Sequence, residues 1–177
     1  NLMAMDVEET LRANPIDGVV LLSNCDKTGP AQLMGAASAG LPAIQVNGGP
    51  RMAGKFRGRE IGSGTDLWKY WDEYRTGKIS KQEWHQLEAC MSCGAGACNV
   101  MGTASTMSAL AEALGMMLPG TSTIAAGDTA RMVAAEDSGR RIVDLVERNI
   151  RPSYIRTAAE FDNARRVCMA IGGSTNA

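Results

Sequence analysis

Two short predicted strands on either side of one helical segment constrain the fold of this chain most strongly. Residues 19–22 are an apolar run bounded by turn residues, a pattern typical of a strand buried in a parallel sheet, and residues 42–46 are predicted as the next strand. Between them, Pro30 suits the first turn of a helix and Gly40 suits its end. A strand, a crossover helix and a second strand form a βαβ unit. The sequence therefore predicts an α/β fold, with a parallel β-sheet flanked by helices.

Further helices are predicted from the apolar periodicity along the rest of the chain. They cover residues 1–13, 66–88 with a break at 76–78, 103–114, 130–149 and 158–169. Ser80 followed by Glu83 predicts a capping box for the second half of the broken segment. Residues 50–65, rich in glycine and arginine, are expected to be irregular, and residues 90–98 to form a loop of small residues.

Charge and cysteine content exclude several classes of protein. Lys and Arg number 18 against 19 Asp and Glu, a net charge of −1, so the chain lacks the positive field on which nucleic-acid binding rests. No run approaches the ~20 apolar residues that cross a bilayer, so we expect no membrane partner. Five cysteines are too few for a disulfide scaffold at this length. They indicate a cytoplasmic protein whose reduced thiols serve as metal ligands or nucleophiles.

The first candidate site is the tripeptide Cys25-Asp26-Lys27, where the first predicted strand ends and a helix begins. Ligands of open α/β sheets bind at this edge. A thiolate suits iron or zinc, and a carboxylate suits magnesium. The alternative interpretation is a free cysteine packed under the helix N-terminus, with Asp26 capping that helix.

The second candidate is the set Cys90, Cys93 and Cys98, which begins with the common metal-chelating spacing C-x2-C. Three thiols leave a zinc site one ligand short, so Cys25, Cys168 or His85 would have to complete it. The alternative is a loop of small, buried and inert thiols. His85, the single histidine, lies on a polar helix face, which predicts a surface role and excludes a Ser-His-Asp or Cys-His arrangement.

A third motif falls short of a nucleotide-binding loop. Residues 49–55 follow a strand and match G-x-x-x-x-G-K, but Phe56 stands where a hydroxyl would be needed for Mg²⁺. We therefore reject a phosphate-binding loop. The cations of this region either bind an acidic substrate or form a solvated surface; they are Arg51, Lys55, Arg57 and Arg59.

Residues 25–35 fit the pattern C-D-K-x-x-P-[GA]-x-x-x-[GA], and in this respect the chain resembles the family of dihydroxy-acid and phosphogluconate dehydratases. Further stretches look similar in the same order: residues 96–107, 113–115, 118–120 and 172–177. Three segments look most like the sugar-acid branch of arabinonate and xylonate dehydratases: residues 48–50, 62–65 and 99–105. The resemblance covers nearly the whole chain.

The resemblance implies a hydro-lyase that removes water from a 2,3-dihydroxy sugar acid to give a 2-keto-3-deoxy acid. It implies that Cys25 and Cys98 ligate an iron–sulfur cluster, of the [2Fe-2S] type in the sugar-acid branch, with [4Fe-4S] as the alternative. Asp26 would bind Mg²⁺, and Lys27, as a carbamate, would be a catalytic residue that also reaches Mg²⁺. It gives no role to Cys90, Cys93 or Cys168.

The resemblance also bears on the extent of the chain. It implies that a third cluster cysteine and a further Mg²⁺ aspartate precede residue 1, and that a β-barrel with a glutamate ligand and a serine base follows. Residues 1–177 are thus expected to form a single α/β domain segment, incomplete at its N-terminus, without the C-terminal β-barrel domain and inactive alone. A homo-oligomer, dimer or tetramer, is expected. Two rival functions are a branched-chain dihydroxy-acid dehydratase of amino-acid biosynthesis, and a non-catalytic metal-binding module built on Cys90, Cys93 and Cys98.

Overall fold

The computed structural model describes residues 1–155 and 157–177, and these residues form eight helices and four strands. In chain order they are α1 (Leu2–Ala13), β1 (Val19–Ser23), α2 (Thr28–Ala39), β2 (Ala43–Asn47), β3 (Gly54–Phe56), β4 (Arg59–Ile61), α3 (Thr65–Arg75), α4 (Lys81–Met91), α5 (Thr103–Ala113), α6 (Thr129–Glu147), α7 (Pro152–Ile155) and α8 (Ala158–Ala170). Among the described helices, none is both long and apolar enough to cross a bilayer.

The predicted βαβ unit is confirmed, as a two-stranded parallel sheet. β1 and β2 pair in parallel, from Val19 opposite Ala43 to Ser23 opposite Asn47. All five residues of β2 are buried, including the polar side chains of Gln45 and Asn47. Gly40 ends α2 in the left-handed conformation, with its N–H bonded to the carbonyl of Ala36 at 3.0 Å. Helices α2 and α6 both contact the two strands.

Two separate apolar clusters hold the structure together. The first joins α1, the parallel sheet and α2, and it is aliphatic: Leu11, Leu21, Ala36, Ala43 and Met116. The second joins β3 and β4 to α3 and α4, and it includes aromatic rings: Phe56, Ile61, Tyr70, Ile79, Leu87 and Met91. Trp84 packs against this second cluster. The division places the parallel sheet and the cysteine-rich region in different packing units.

The expectation that residues 50–65 are irregular is wrong for residues 54–61, in the middle of this stretch. Gly54–Phe56 and Arg59–Ile61 form an antiparallel hairpin, with Phe56 opposite Arg59. Arg57 and Gly58 make the two-residue turn, both with positive φ, of 50° and 76°. Such turns match the twist of paired strands. The arms are only three residues long, too short to show alternation, and the buried side chains of Phe56 and Ile61 decide the pairing.

The predicted capping box at the start of α4 is confirmed. Ser80 Oγ accepts a hydrogen bond from the Glu83 N–H at 3.2 Å, and the Ser80 N–H donates to Glu83 Oε2 at 2.8 Å. Helix α4 continues to Met91, so Cys90 lies in its last turn and not in the predicted loop. The burial of Leu87 and Met91 carries the helix past the expected end at Glu88.

Glu83 makes the stability of this hairpin region depend on pH. The Ser80 N–H, and then the Arg57 guanidinium, lower the pKa of Glu83 from 4.5 to about 2. A lowered carboxyl pKa adds stability that is complete above about pH 4.5 and is lost as the pH falls towards 2. We expect Glu83→Gln to lower Tm at pH 7, and the difference from the wild type to shrink between pH 4.5 and 2, measured by circular dichroism.

The matched control is Glu9→Gln, which changes an exposed carboxylate in the middle of α1. It should leave the pH dependence of Tm unaltered. If the difference in Tm between the wild type and Glu83→Gln stayed constant from pH 7 to pH 2, the role given to the Glu83 carboxylate would be contradicted.

Candidate functional site

A cleft of about 510 Å³ lies at the carboxyl ends of the two parallel strands. Its walls come from the end of β1, the start of α2, the end of β2 and one face of α6: Leu22, Ser23, Asn24, Cys25, Thr28, Val46, Asn47, Gly48, Arg131, Met132 and Ala135. This is the sheet edge at which the sequence predicts a ligand site. Of the predicted site residues, Cys25 alone lines the cleft within the described part of the chain.

The loop after β1 holds the backbone of Cys25 and leaves its side chain exposed. Thr28 Oγ1 accepts a hydrogen bond from the Cys25 N–H and donates one to the Cys25 carbonyl, both at 3.1 Å. Helix α2 begins at Thr28 with Lys27 as its N-cap residue, and no side chain caps it. The alternative of a buried cysteine below a helix capped by Asp26 is therefore not what the structure contains. Residue type alone does not reveal the role of Thr28, because its hydroxyl reaches the Cys25 backbone only through the turn that precedes α2.

Asp26 and Lys27 form an exposed ion pair next to this loop. Lys27 Nζ lies 3.5 Å from Asp26 Oδ2, and the two side chains are 75% and 39% exposed, Lys27 the more so. An ion pair this open to water contributes little to stability. Both groups are therefore accessible to a ligand without loss of packing.

The loop after β2 connects the two predicted cysteine segments. The Gly48 N–H donates to the carbonyl of Ser23 at 2.7 Å, which ties this loop to the end of β1. The Ala97 N–H donates to the carbonyl of Gly49 at 2.9 Å, and the Arg51 N–H donates to the carbonyl of Ala97 at 3.0 Å. Because Cys98 directly follows Ala97, the Cys25 and Cys98 segments are both fastened to residues 48–51.

Arg51 holds the cysteine-rich loop closed. Its guanidinium donates to the carbonyl of Met91 at 3.2 Å and to that of Gly96 at 3.4 Å, so it bridges the two ends of the loop. The prediction that Arg51 faces an acidic substrate or open solvent is therefore wrong, since its Nη1 and Nη2 both donate to backbone carbonyls. Lys55 lies in β3, which confirms that residues 49–55 do not open a helix as a phosphate loop would.

The remaining thiols differ in burial. Cys90 and Cys168 are half-buried in α4 and α8, whereas Cys93 and Cys98 are exposed. Within residues 1–155 and 157–177, no three His, Cys, Asp or Glu side chains form a group that could hold a metal ion. The structure therefore assembles neither the set Cys90, Cys93 and Cys98 nor a three-residue centre around Cys25.

His85 confirms the predicted surface position. It is 61% exposed, and its Nδ1 lies 3.2 Å from the carboxylate of Glu88 one turn further along α4.

Comparison with known proteins gives a match over the whole chain. The family profile described as "Dihydroxy-acid/6-phosphogluconate dehydratase N-terminal" matches residues 1–177. Similar curated proteins include the L-arabonate dehydratase of Azospirillum brasilense, 54% identical, and the 6-deoxy-6-sulfo-D-gluconate dehydratase of Pseudomonas putida, 50% identical, each over 100% of this chain. The dihydroxy-acid dehydratase of Moorella thermoacetica is 43% identical over 99% of this chain.

These relatives are much longer than the chain. The aligned region makes up 30%, 31% and 32% of the three proteins, respectively. The chain thus spans about a third of the length of the curated relatives it matches.

Proposed function

The chain belongs to the dihydroxy-acid/6-phosphogluconate dehydratase family, whose N-terminal region all 177 residues match, and on that premise we propose that it is part of a sugar-acid dehydratase. The reaction would convert a 2,3-dihydroxy sugar acid to a 2-keto-3-deoxy acid. The observation that carries the proposal is the position of Cys25-Asp26-Lys27 at the carboxyl edge of the parallel sheet. The Cys98 segment is hydrogen-bonded to the loop after β2, which is itself hydrogen-bonded to the end of β1.

The reaction requires a base that accepts a proton and an acid that stabilises the departing hydroxyl, which is a poor leaving group. A proton leaves C2 and the hydroxyl leaves C3, together one molecule of water, and the resulting enol becomes the 2-keto acid. Within this chain, the cleft receives the substrate, and the Thr28 hydrogen bonds hold the Cys25 backbone still beside it. A fixed geometry of this kind lowers the entropic cost of bringing reacting groups together.

The donor set fits an iron–sulfur cluster and Mg²⁺, although it completes neither. Cys25 and Cys98 offer two exposed free thiols, which are ligands that iron prefers, and Asp26 offers the hard oxygen that Mg²⁺ prefers. In the proposal, Cys25 and Cys98 hold a [2Fe-2S] cluster, while Asp26 and carbamylated Lys27 hold Mg²⁺. When bound, these groups supply Lewis acidity. The other ligands would come from the rest of a longer chain, so residues 1–177 alone would not turn over.

A sugar acid is proposed as substrate because of the order of the identities. The chain is 54% and 50% identical to proteins named for L-arabonate and 6-deoxy-6-sulfo-D-gluconate, against 43% for one named a dihydroxy-acid dehydratase. A cytoplasmic location, where thiols stay reduced, and a homo-oligomeric assembly belong to the same proposal.

The test is a substrate panel with the full-length enzyme that carries this segment. We expect formation of a 2-keto acid, followed as its semicarbazone, from at least one of L-arabinonate, D-xylonate and D-gluconate. The value of kcat/KM should exceed that for 2,3-dihydroxyisovalerate by about 10-fold or more, a transition-state difference of ~1.4 kcal/mol. Turnover of the branched acid alone would replace the sugar-acid assignment with the branched-chain one. No turnover by iron-loaded enzyme would contradict dehydration of both classes.

A further inference from the structure

A buried arginine forms part of the cleft wall. Arg131, in the first turns of α6, is 6% exposed and lines the cleft opposite the loop that carries Cys25. Its Nη1 donates to Asn47 Oδ1 at 2.8 Å, and its Nη2 donates to the carbonyl of Ile124. These bonds fix the guanidinium between the end of β2 and the segment that precedes α6.

Among the described residues, none forms an ion pair with this guanidinium. Both acceptors are neutral, and no carboxylate of the described residues lies within 4 Å of the group. Its Nε–H is also buried without a hydrogen-bond partner. Burial lowers the pKa of Arg131, an effect that the more distant Asp128 opposes. Burying a cation without an opposite charge costs free energy, and here the compensation consists of two hydrogen bonds to neutral acceptors.

The surroundings of Arg131 favour a negatively charged ligand. No other charged side chain lines the cleft within the described part of the chain. Its remaining polar lining consists of Ser23, Asn24, Thr28, Asn47 and the thiol of Cys25. An anion in this space would supply the missing counter-charge, and its contacts with a guanidinium would be charge-assisted and therefore strong.

The backbone of the loop after β2 lies close to the guanidinium. Gly49 has φ of +82°, and a Cβ placed on it would lie 2.8 Å from Arg131 Nη2 and 2.3 Å from the carbonyl of Ile124. The loop after β2 can therefore lie directly against Arg131 only because residue 49 is glycine.

We propose that Arg131 is the positive pole of an anion site in this cleft. The inference rests on the proposed function, because the anion is either the carboxylate of the acid substrate or the thiolate-bound cluster on Cys25. Both are negatively charged groups that would be placed at the same sheet edge, and they can be told apart by measurement.

The test compares two variants of the full-length holoenzyme that separate charge from hydrogen bonding. Arg131→Lys keeps the charge, whereas Arg131→Gln removes it and keeps a donor. If the anion is the substrate, Arg131→Gln should raise KM for L-arabinonate by about 10-fold or more relative to Arg131→Lys, with kcat and iron content similar in the two. If the anion is the cluster, Arg131→Gln should shift the reduction potential of the cluster to more negative values and lower the iron content per protein, whereas Arg131→Lys should do neither.

The control is Arg140→Gln, which removes an exposed arginine further along the same helix. It should leave KM, potential and iron content unchanged. Equal behaviour of Arg131→Lys and Arg131→Gln in all three measurements would overturn the anion site and leave Arg131 a purely structural residue.

A second variant covers the case in which neither Arg131 variant folds. Asn47→Asp has nearly the same shape and gives Arg131 an internal carboxylate through the contact it already makes. It should also raise KM or shift the potential, and unchanged values would overturn the proposal. If the wild-type enzyme dehydrates no sugar acid, the proposed function fails. Calorimetric titration of the same variants with L-arabinonate, together with their potentials, then still decides the anion site.

Discussion

Replacing Cys25 with serine is expected to remove most of the iron and nearly all of the activity from the full-length enzyme. A serine hydroxyl stays protonated near neutral pH and is a poor ligand for iron, whereas a thiolate is a strong one. Replacing a residue that only supports a metal ligand typically lowers metal affinity or activity by about 10–100-fold. Loss of a proposed ligand itself should therefore lower kcat by at least about 100-fold. Iron content, visible absorbance and kcat would be measured on the same preparation.

Cys93→Ser is the matched control for this experiment. Cys93 is also an exposed thiol, and it donates to the carbonyl of Met52 at 3.4 Å. We expect its replacement to keep both iron and activity. A Cys25→Ser enzyme that retained its iron while Cys93→Ser lost it would reverse the assignment and favour a metal site in the loop of Cys90, Cys93 and Cys98.

Replacing Lys27 with arginine is expected to abolish the Mg²⁺-dependent part of the activity. An ammonium or guanidinium cannot ligate a cation, but a carbamylated lysine presents carboxylate-like oxygens. Arginine does not form the corresponding carbamate. The Lys27 side chain is 75% exposed, so the fold should tolerate the change. We expect kcat at saturating Mg²⁺ to fall by at least about 100-fold, comparable to the loss of other metal-site groups.

Two measurements accompany this variant. A ¹³C-carbamate resonance after equilibration with labelled bicarbonate should be present in the wild type and absent in Lys27→Arg. The control is Lys55→Arg, at an exposed position of β3, which should change neither the resonance nor kcat. Full Mg²⁺-dependent activity in Lys27→Arg would refute the carbamate role and leave the cysteine assignments in place.

The parts of the fold that depend on local chemistry were predictable. Gly40 ends α2 because glycine reaches the left-handed conformation easily, and Ser80 starts α4 because its hydroxyl caps a free N–H. The buried runs that became β1 and β2 were recognisable from their apolar residues between turns. The family was recognisable from the Cys25-Asp26-Lys27 segment and is confirmed by the match over residues 1–177.

The parts that depend on distant contacts were not predictable. The hairpin of residues 54–61 forms because Phe56 and Ile61 pack on α3 and α4. Its three-residue arms are too short for the sequence pattern to predict that packing. Arg51 looked like a surface cation until the structure placed its donors on the carbonyls of Met91 and Gly96, some 40 residues away in sequence. The ligand roles of Cys25, Asp26, Lys27 and Cys98 stay predictions that the experiments above address.

The sequence by itself determined the βαβ unit and the family, because each follows from residue types at short spacing. Only the tertiary structure decided that the Cys25 and Cys98 segments share the loop after β2, and that Arg131 lies uncompensated in the cleft wall. The physical reason is that hydrogen bonding and burial depend on which segments meet in space. A charge becomes costly, and therefore informative, only once folding has removed it from water.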